Sequence, residues 1–235
     1  MIKWLRQRRR PSAEKLRQSM AVQPHFSESI KRYISTPLPK LEKPLEEQQF
    51  IAIDFETTGL DFERDKILSI GSVGCSMDGI NIASSIELYV NNGEHINATS
   101  AEVNGITSKM ANKGTDMGRA FDTLLDAMRG KIVLAHNASI EKAFINNFTR
   151  QAYQIDDFPC YFIDTMALEK RFSYAARSKL HTSYQLGDLR RHHNLPNYSA
   201  HSAAIDSAAC AELFLVQCKK FKLGQECLDK VIMSY

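Results

Sequence analysis

The sequence predicts an α/β protein built on a mixed five-stranded sheet, a three-strand antiparallel meander extended by parallel strands, with helices flanking it. Three apolar runs of strand length follow one another between residues 49 and 90, separated by turn residues. From residue 117 onward, helical spacing alternates with short apolar runs. Strands first and strand–helix alternation afterwards imply a meander continued by strands with helical connections. A third observation sets the boundaries. Five of the seven prolines lie in the first 44 residues, which marks 1–48 as an N-terminal extension ahead of a body over 49–220 and a tail over 221–235.

In the extension, Leu16 and Met20, then Ile30, Tyr33 and Ile34, recur at helical spacing and predict one or two short helices. Residues 49–53 read as a buried central strand, and 66–75 and 81–90 as two more strands around the turn Met77-Asp78-Gly79. Residues 100–112 suggest a short helix and loop. A helix over 117–128 follows, because Ala120, Leu124 and Met128 repeat every four residues, and Gly130 ends it. Residues 132–135 form a short buried strand, 139–150 a helix and 161–163 the last strand. Helices over 184–193 and 202–219 complete the chain.

A chain of 235 residues with 43% hydrophobic content suits one domain with an appendage. No apolar stretch approaches the roughly 18 residues that cross a membrane. The basic start is not followed by an apolar segment, which argues against export. Five scattered cysteines without a C-x-x-C pair suit a reducing compartment, the cytoplasm, and neither a disulfide framework nor a zinc site. The net charge of +3 hides an asymmetry: residues 1–43 carry 11 Lys or Arg against 3 Glu, whereas 44–235 carry 19 against 24 acids. The basic front therefore reads as a phosphate-tracking segment, a site for a protein partner or a solvated tail, and the acidic body as a place for metal.

Chemistry concentrates at the end of the first strand. Side chains two apart on a strand share a face, so Asp54 and Glu56 present two carboxylates side by side. Such a pair repels itself unless a cation intervenes, and hard oxygen ligands suit Mg²⁺ or Mn²⁺. Thr57, Thr58 and Gly59 form a polar turn whose N–H groups can approach a nucleotide, and Leu60 can wedge against a base. The word Asp54-Phe55-Glu56-Thr57-Thr58-Gly59-Leu60 resembles the first motif of the DEDDh exonucleases, the family of the epsilon proofreading subunit of DNA polymerase III. Their fold is ribonuclease H-like.

Two further stretches carry the resemblance. Ala135-His136-Asn137-Ala138-Ser139-Ile140-Glu141 is similar to the second motif, with Ile-Glu where the family usually has Phe-Asp. Glu141 keeps the charge and gains a methylene, which bears on metal geometry; taken alone it is an acid in a helix first turn, favoured by the dipole. Asn137 reads as a substrate contact or simply as the helix N-cap. His201-Ser202-Ala203-Ala204-Ile205-Asp206-Ser207-Ala208 resembles the third motif, H-x-A-x-x-D-A. His201 precedes Asp206 by five residues, which suits a histidine on the entering loop and an acid in the first helical turns. Where family members often carry His before Gly-Ile, this chain has Asn104.

The resemblance covers residues 49–218 and implies a metal-dependent phosphodiester hydrolase. Asp54, Glu56, Glu141 and Asp206 would hold two cations, Mg²⁺ or Mn²⁺, and His201 would act as general base. Thr57, Thr58, Gly59, Leu60, Asn104 and Asn137 would hold the terminal nucleotide. The implied reaction is 3′–5′ removal of nucleotides from single-stranded DNA, since Thr after Glu56 looks more like the proofreading branch than the oligoribonuclease branch. Two alternatives stay open: trimming of RNA ends, and a nucleic-acid-binding or polymerase-docking module whose catalysis is impaired at Glu141.

Overall fold

Strand β1 (Phe50–Thr57) occupies the centre of the sheet because it is bonded on both edges, antiparallel to β2 (Ile67–Ser76) and parallel to β5 (Ile132–Ala135). The computed structural model describes residues 12–91, 105–174, 183–198 and 202–233. Asn104 and His201 lie outside these residues. β2 turns at Met77-Asp78 into β3 (Gly79–Asn91), and β6 (Phe162–Asp164) extends the sheet in parallel with β5. Among the described residues the order is β4-β3-β2-β1-β5-β6, where β4 is Thr115–Asp116.

The sheet therefore has six strands rather than the five expected from the sequence. The addition, β4 (Thr115–Asp116), pairs in parallel with Val90 and Asn91. Two residues are too few to generate an alternation, so pairing rather than pattern defines this strand. β1 also continues through both acids to Thr57, because β2 keeps bonding it as far as the Thr57–Ile67 pair.

The described helices are α1 (Ala13–Ser19), α2 (Glu28–Ser35), α3 (Ser108–Asn112), α4 (Met117–Met128), α5 (Ser139–Tyr153), α6 (Thr165–Phe172), α7 (Leu186–His192) and α8 (Ala203–Phe221). α4 begins where the Asp116 carboxylate accepts from the N–H groups of Gly118 and Arg119, and it stops before Gly130, whose φ of +70° suits glycine. Its inward stripe of Ala120, Phe121, Leu124, Leu125 and Met128 is buried. α6 was not expected. It is short and starts from a cap: the Asp164 carboxylate accepts from the N–H groups of Met166 and Ala167, which supplies the nucleation that weak periodicity does not.

Residues on either side of the expected body enter its core. α2 packs on α4, with Ser27 and Ser29 hydroxyls donating to Asp122 and Asp126, and Arg32 paired with Asp126 at 2.7 Å. The Tyr33 hydroxyl donates to the Pro159 carbonyl at 3.0 Å, and Ile30, Tyr33, Ile34 and Leu45 join the same apolar cluster as β1. At the other end, Leu228 and Val231 are buried in that cluster, and the Met233 N–H donates to Phe162 at the edge of β6. A buried polar network ties α6, α7 and α8 together: Glu169 accepts from His193 and Gln217, at 2.8 and 2.9 Å.

Candidate active site

The site starts from the register of β1. Asp54 stands opposite Gly71 in β2, and Gly71 stands opposite Glu87 in β3, so the three positions form a row across the sheet. Residues directly opposed in antiparallel strands share a face. The N-terminal turn of α8 lies on this row. A methyl group built at Gly71 would fall 1.9 Å from the carbonyl carbon of Ala203, a contact only glycine permits. From there α8 follows β1, and Phe214 packs on Phe50 with ring centroids 4.9 Å apart.

This close approach delivers Asp206 to the two strand acids. Carboxylate oxygens of Asp54, Glu56 and Asp206 all lie within 4.8 Å of one another. Glu141, in the first turn of α5, stands outside that trio but near enough for its charge to act on Asp54. Burial, then the charges of Glu141, Asp206 and Glu56, hold the Asp54 carboxyl well above the usual carboxylate range. Glu141 is 4% exposed and its Oε2 is buried with no hydrogen-bond partner. Burial pushes its carboxyl up to about 8, with its own backbone N–H opposing and the Asp164 charge adding.

Such a donor set fits a divalent cation. Clustered carboxylates destabilise one another until a cation neutralises them, and an orphaned buried carboxylate oxygen is otherwise a cost of roughly 1–3 kcal/mol or more. Oxygen donors of this kind suit a hard divalent cation.

The turn after β1 is held by its own residues. The Thr57 hydroxyl donates to the Gly59 carbonyl at 2.7 Å, and the Thr58 hydroxyl donates to Asp65 at 2.9 Å. Asp65 also accepts from the Asp61 N–H, and a side chain at Gly59 would collide with it. Leu60 is left projecting, 73% exposed. Asn137 is not the N-cap of α5: Ala138 holds that position, and Asn137 adopts the left-handed conformation (φ +64°) with its N–H donated to Asp164 at 3.0 Å. The tight turn from β5 into α5 takes the cap role away from it. His136 is a cross-link, bonded through its two ring nitrogens to Thr165 and the Tyr184 carbonyl.

Three contributors escaped the sequence reading. Gly71 carries a signal, a glycine inside an apolar strand run, which marks close backbone approach. Glu87, the lone charge within β3, contacts Ser202. Asp65 has no signal beyond its place in a polar turn.

Comparison with known proteins agrees with this geometry. The exonuclease family model, RNase T, matches residues 51–214, spanning every described acid of the site. The chain belongs to the exonuclease family. Within that family it is similar to the DNA polymerase III PolC-type proteins of Thermotoga maritima (30% identical over 166 residues, 71% of this chain) and Bacillus subtilis (28% over 175 residues, 74% of this chain). In each case the chain covers 12% of the relative's length. It is also similar to the DNA polymerase III epsilon subunit of Buchnera aphidicola, 27% identical with 71% of both chains covered. Among solved structures, this exonuclease chain shares its fold with exonuclease X in complex with 5′ overhanging duplex DNA (TM-score 0.59, 20% identity, 77% of this chain and 98% of that one). The nuclease domain of 3′hExo, a DEDDh family member bound to rAMP, overlays with a TM-score of 0.62 at 16% identity, covering 77% of this chain and 96% of that one. These overlays agree with a ribonuclease H-like mixed sheet flanked by helices.

Proposed function

We propose that this protein is a 3′–5′ exonuclease that hydrolyses nucleotides from single-stranded DNA ends. The observation that carries the reading is the convergence of Asp54, Glu56 and Asp206 within 4.8 Å, beside Glu141 with its buried and unpartnered Oε2. In this reading Asp54, Glu56, Glu141 and Asp206 hold two divalent cations. Bound there, Mg²⁺ or Mn²⁺ would stabilise charge on the scissile phosphate and lower the pKa of the attacking water. His201 accepts the proton of that water as general base, its ordinary pKa being near neutrality. Thr57, Thr58, Gly59 and Leu60 bind the last nucleotide, Leu60 by lying against its base, and Asn104 and Asn137 add polar contacts. Holding an end rather than an internal segment is what makes the cleavage exonucleolytic.

DNA is favoured over RNA because of the Thr after Glu56. Ile30, Tyr33, Ile34 and Leu45 of the front segment are engaged in packing, and contact with a phosphate backbone or a protein partner is assigned to the basic residues of the extension 1–48. Unpaired cysteines, four of the five buried, are in keeping with the cytoplasm. No described helix is long and apolar enough to cross a membrane.

The test is incubation with matched, 3′-labelled single strands of DNA and RNA in Mg²⁺ and in Mn²⁺. Release of labelled mononucleotide, faster from DNA and lost in Asp206→Asn, is the expected result. Absence of release from both strands in both metals would overturn the proposal.

A further inference from the structure

We infer that Glu87 is a positioning residue for the acidic site, acting through Ser202 on the first turn of α8. The inference rests on the reading of Asp206 as a metal ligand and adds a residue outside the three motifs.

Glu87 lies two strands from Asp54 in the row Asp54–Gly71–Glu87. Its carboxylate receives the Ser202 hydroxyl, at 3.1 Å to one oxygen and 3.3 Å to the other. Ser202 is the N-cap of α8. The same hydroxyl oxygen accepts from the Ile205 N–H at 3.3 Å, while the Ser202 carbonyl accepts from the Asp206 N–H at 2.8 Å. One residue thus joins the sheet to the backbone that carries Asp206.

Two constraints therefore fix where α8 begins. Gly71 sets the height, since Ala203 rests on its bare backbone. That contact is backbone resting on backbone with no directional bond, so by itself it would allow the turn to slide along the sheet. The bond from Ser202 to Glu87 supplies the lateral stop, and it is directional and charge-assisted. A carboxylate there also complements the positive end of a helix of 19 residues. Glu87 stands in a strand that otherwise carries no charge, which marks it as serving a particular contact. Without it, the first turn of α8 keeps its cap but loses the side-chain hydrogen bond that ties Ser202 to β3.

The experiment compares the full-length protein with Glu87→Leu, Glu87→Gln and Ser202→Ala. Three quantities are read: amide hydrogen exchange at Ile205 and Asp206, Mn²⁺ affinity by calorimetry, and single-turnover nucleotide release over a range of substrate concentrations. Groups that orient metal ligands typically change affinity about 10–100-fold when removed. Glu87→Leu and Ser202→Ala should weaken Mn²⁺ by about that factor, lower the maximal rate with little change in KM, and speed exchange at both amides. Glu87→Gln still accepts the Ser202 hydroxyl and should stay within a few-fold of the parent. A role confined to stability would lower the unfolding temperature and leave metal affinity and rate untouched; that result overturns the inference. So does parental behaviour in Glu87→Leu, or loss in Glu87→Leu without loss in Ser202→Ala. A parent that neither binds Mn²⁺ nor releases nucleotide would defeat the exonuclease reading instead. In that case exchange at Ile205 and Asp206 still decides the Glu87 link: faster exchange in Glu87→Leu upholds it and unchanged exchange refutes it.

Discussion

Replacing Gly71 by alanine drives a methyl group into the backbone that carries the third motif. The new carbon would sit 1.9 Å from the Ala203 carbonyl carbon, 2.0 Å from its oxygen and 2.4 Å from the Ala204 nitrogen, whereas ordinary contact begins at about 3.4 Å. These are backbone atoms of a helix, with no side-chain torsion to relieve them. The start of α8 must therefore retreat by about 1.5 Å, carrying Asp206 away from Asp54 and Glu56. Misplacement by about 1 Å at a catalytic constellation costs on the order of 100-fold in rate, so a loss of at least that size is expected. Overpacking of this kind costs roughly 1–3 kcal/mol in stability, or roughly 2–4 °C of Tm per kcal/mol for a chain of this size. Single-turnover release of 3′-terminal nucleotide from a labelled DNA strand, with circular dichroism to confirm folding, measures both. Gly74→Ala is the control, because its new contact is the Ser84 side chain at 3.0 Å and it lies away from α8. A Gly71→Ala protein that folds with an unchanged Tm and cleaves within about three-fold of the parent would refute the idea that this contact places Asp206.

Glu141 makes a prediction about pH. Its folded carboxyl is raised to about 8 against about 4.3 in an unfolded chain. A raised acid stabilises the fold below its unfolded value, and that stability is lost as pH climbs through the folded one. Metal-free protein should therefore lose a few kcal/mol between about pH 4.5 and 8 from this group, and Glu141→Gln should flatten the decline. Denaturant unfolding across that range in the presence of chelator checks it; equal slopes for parent and variant would contradict it. In α7, a methyl at Gly187 meets only Arg191 at 3.8 Å, so Gly187→Ala should stabilise by about 0.4–1 kcal/mol, read as a higher unfolding midpoint. In α2, Tyr33 is fully buried against the body, and Tyr33→Ala should cost roughly 3–5 kcal/mol by the same measurement. A cost below about 1 kcal/mol would mean that α2 is not part of the cooperative unit.

Part of this protein is written locally. The period of two in a strand puts Asp54 and Glu56 on one face wherever that strand lies, and the repeat of Ala120, Leu124 and Met128 suffices to define α4 from Met117 to Met128. Motif order added Asp206 as a candidate without any knowledge of space. Other features depend on partners far away in the chain. β4 exists only because Val90 and Asn91 offer two residues an edge, and α6 begins on the Asp164 cap although its own apolar pattern is weak. The helices of the front segment were legible, but their burial against α4 was not, since nothing local states what an apolar face will cover. The same reason separates Glu141 from the three-acid cluster and gives Gly71 and Glu87 their importance. Periodicity and residue chemistry act over a few bonds, so the sequence alone could determine which side chains were able to bind a cation. Which of them meet, and what holds them there, depends on how β1, β2 and α8 pack, and only the tertiary structure decides that.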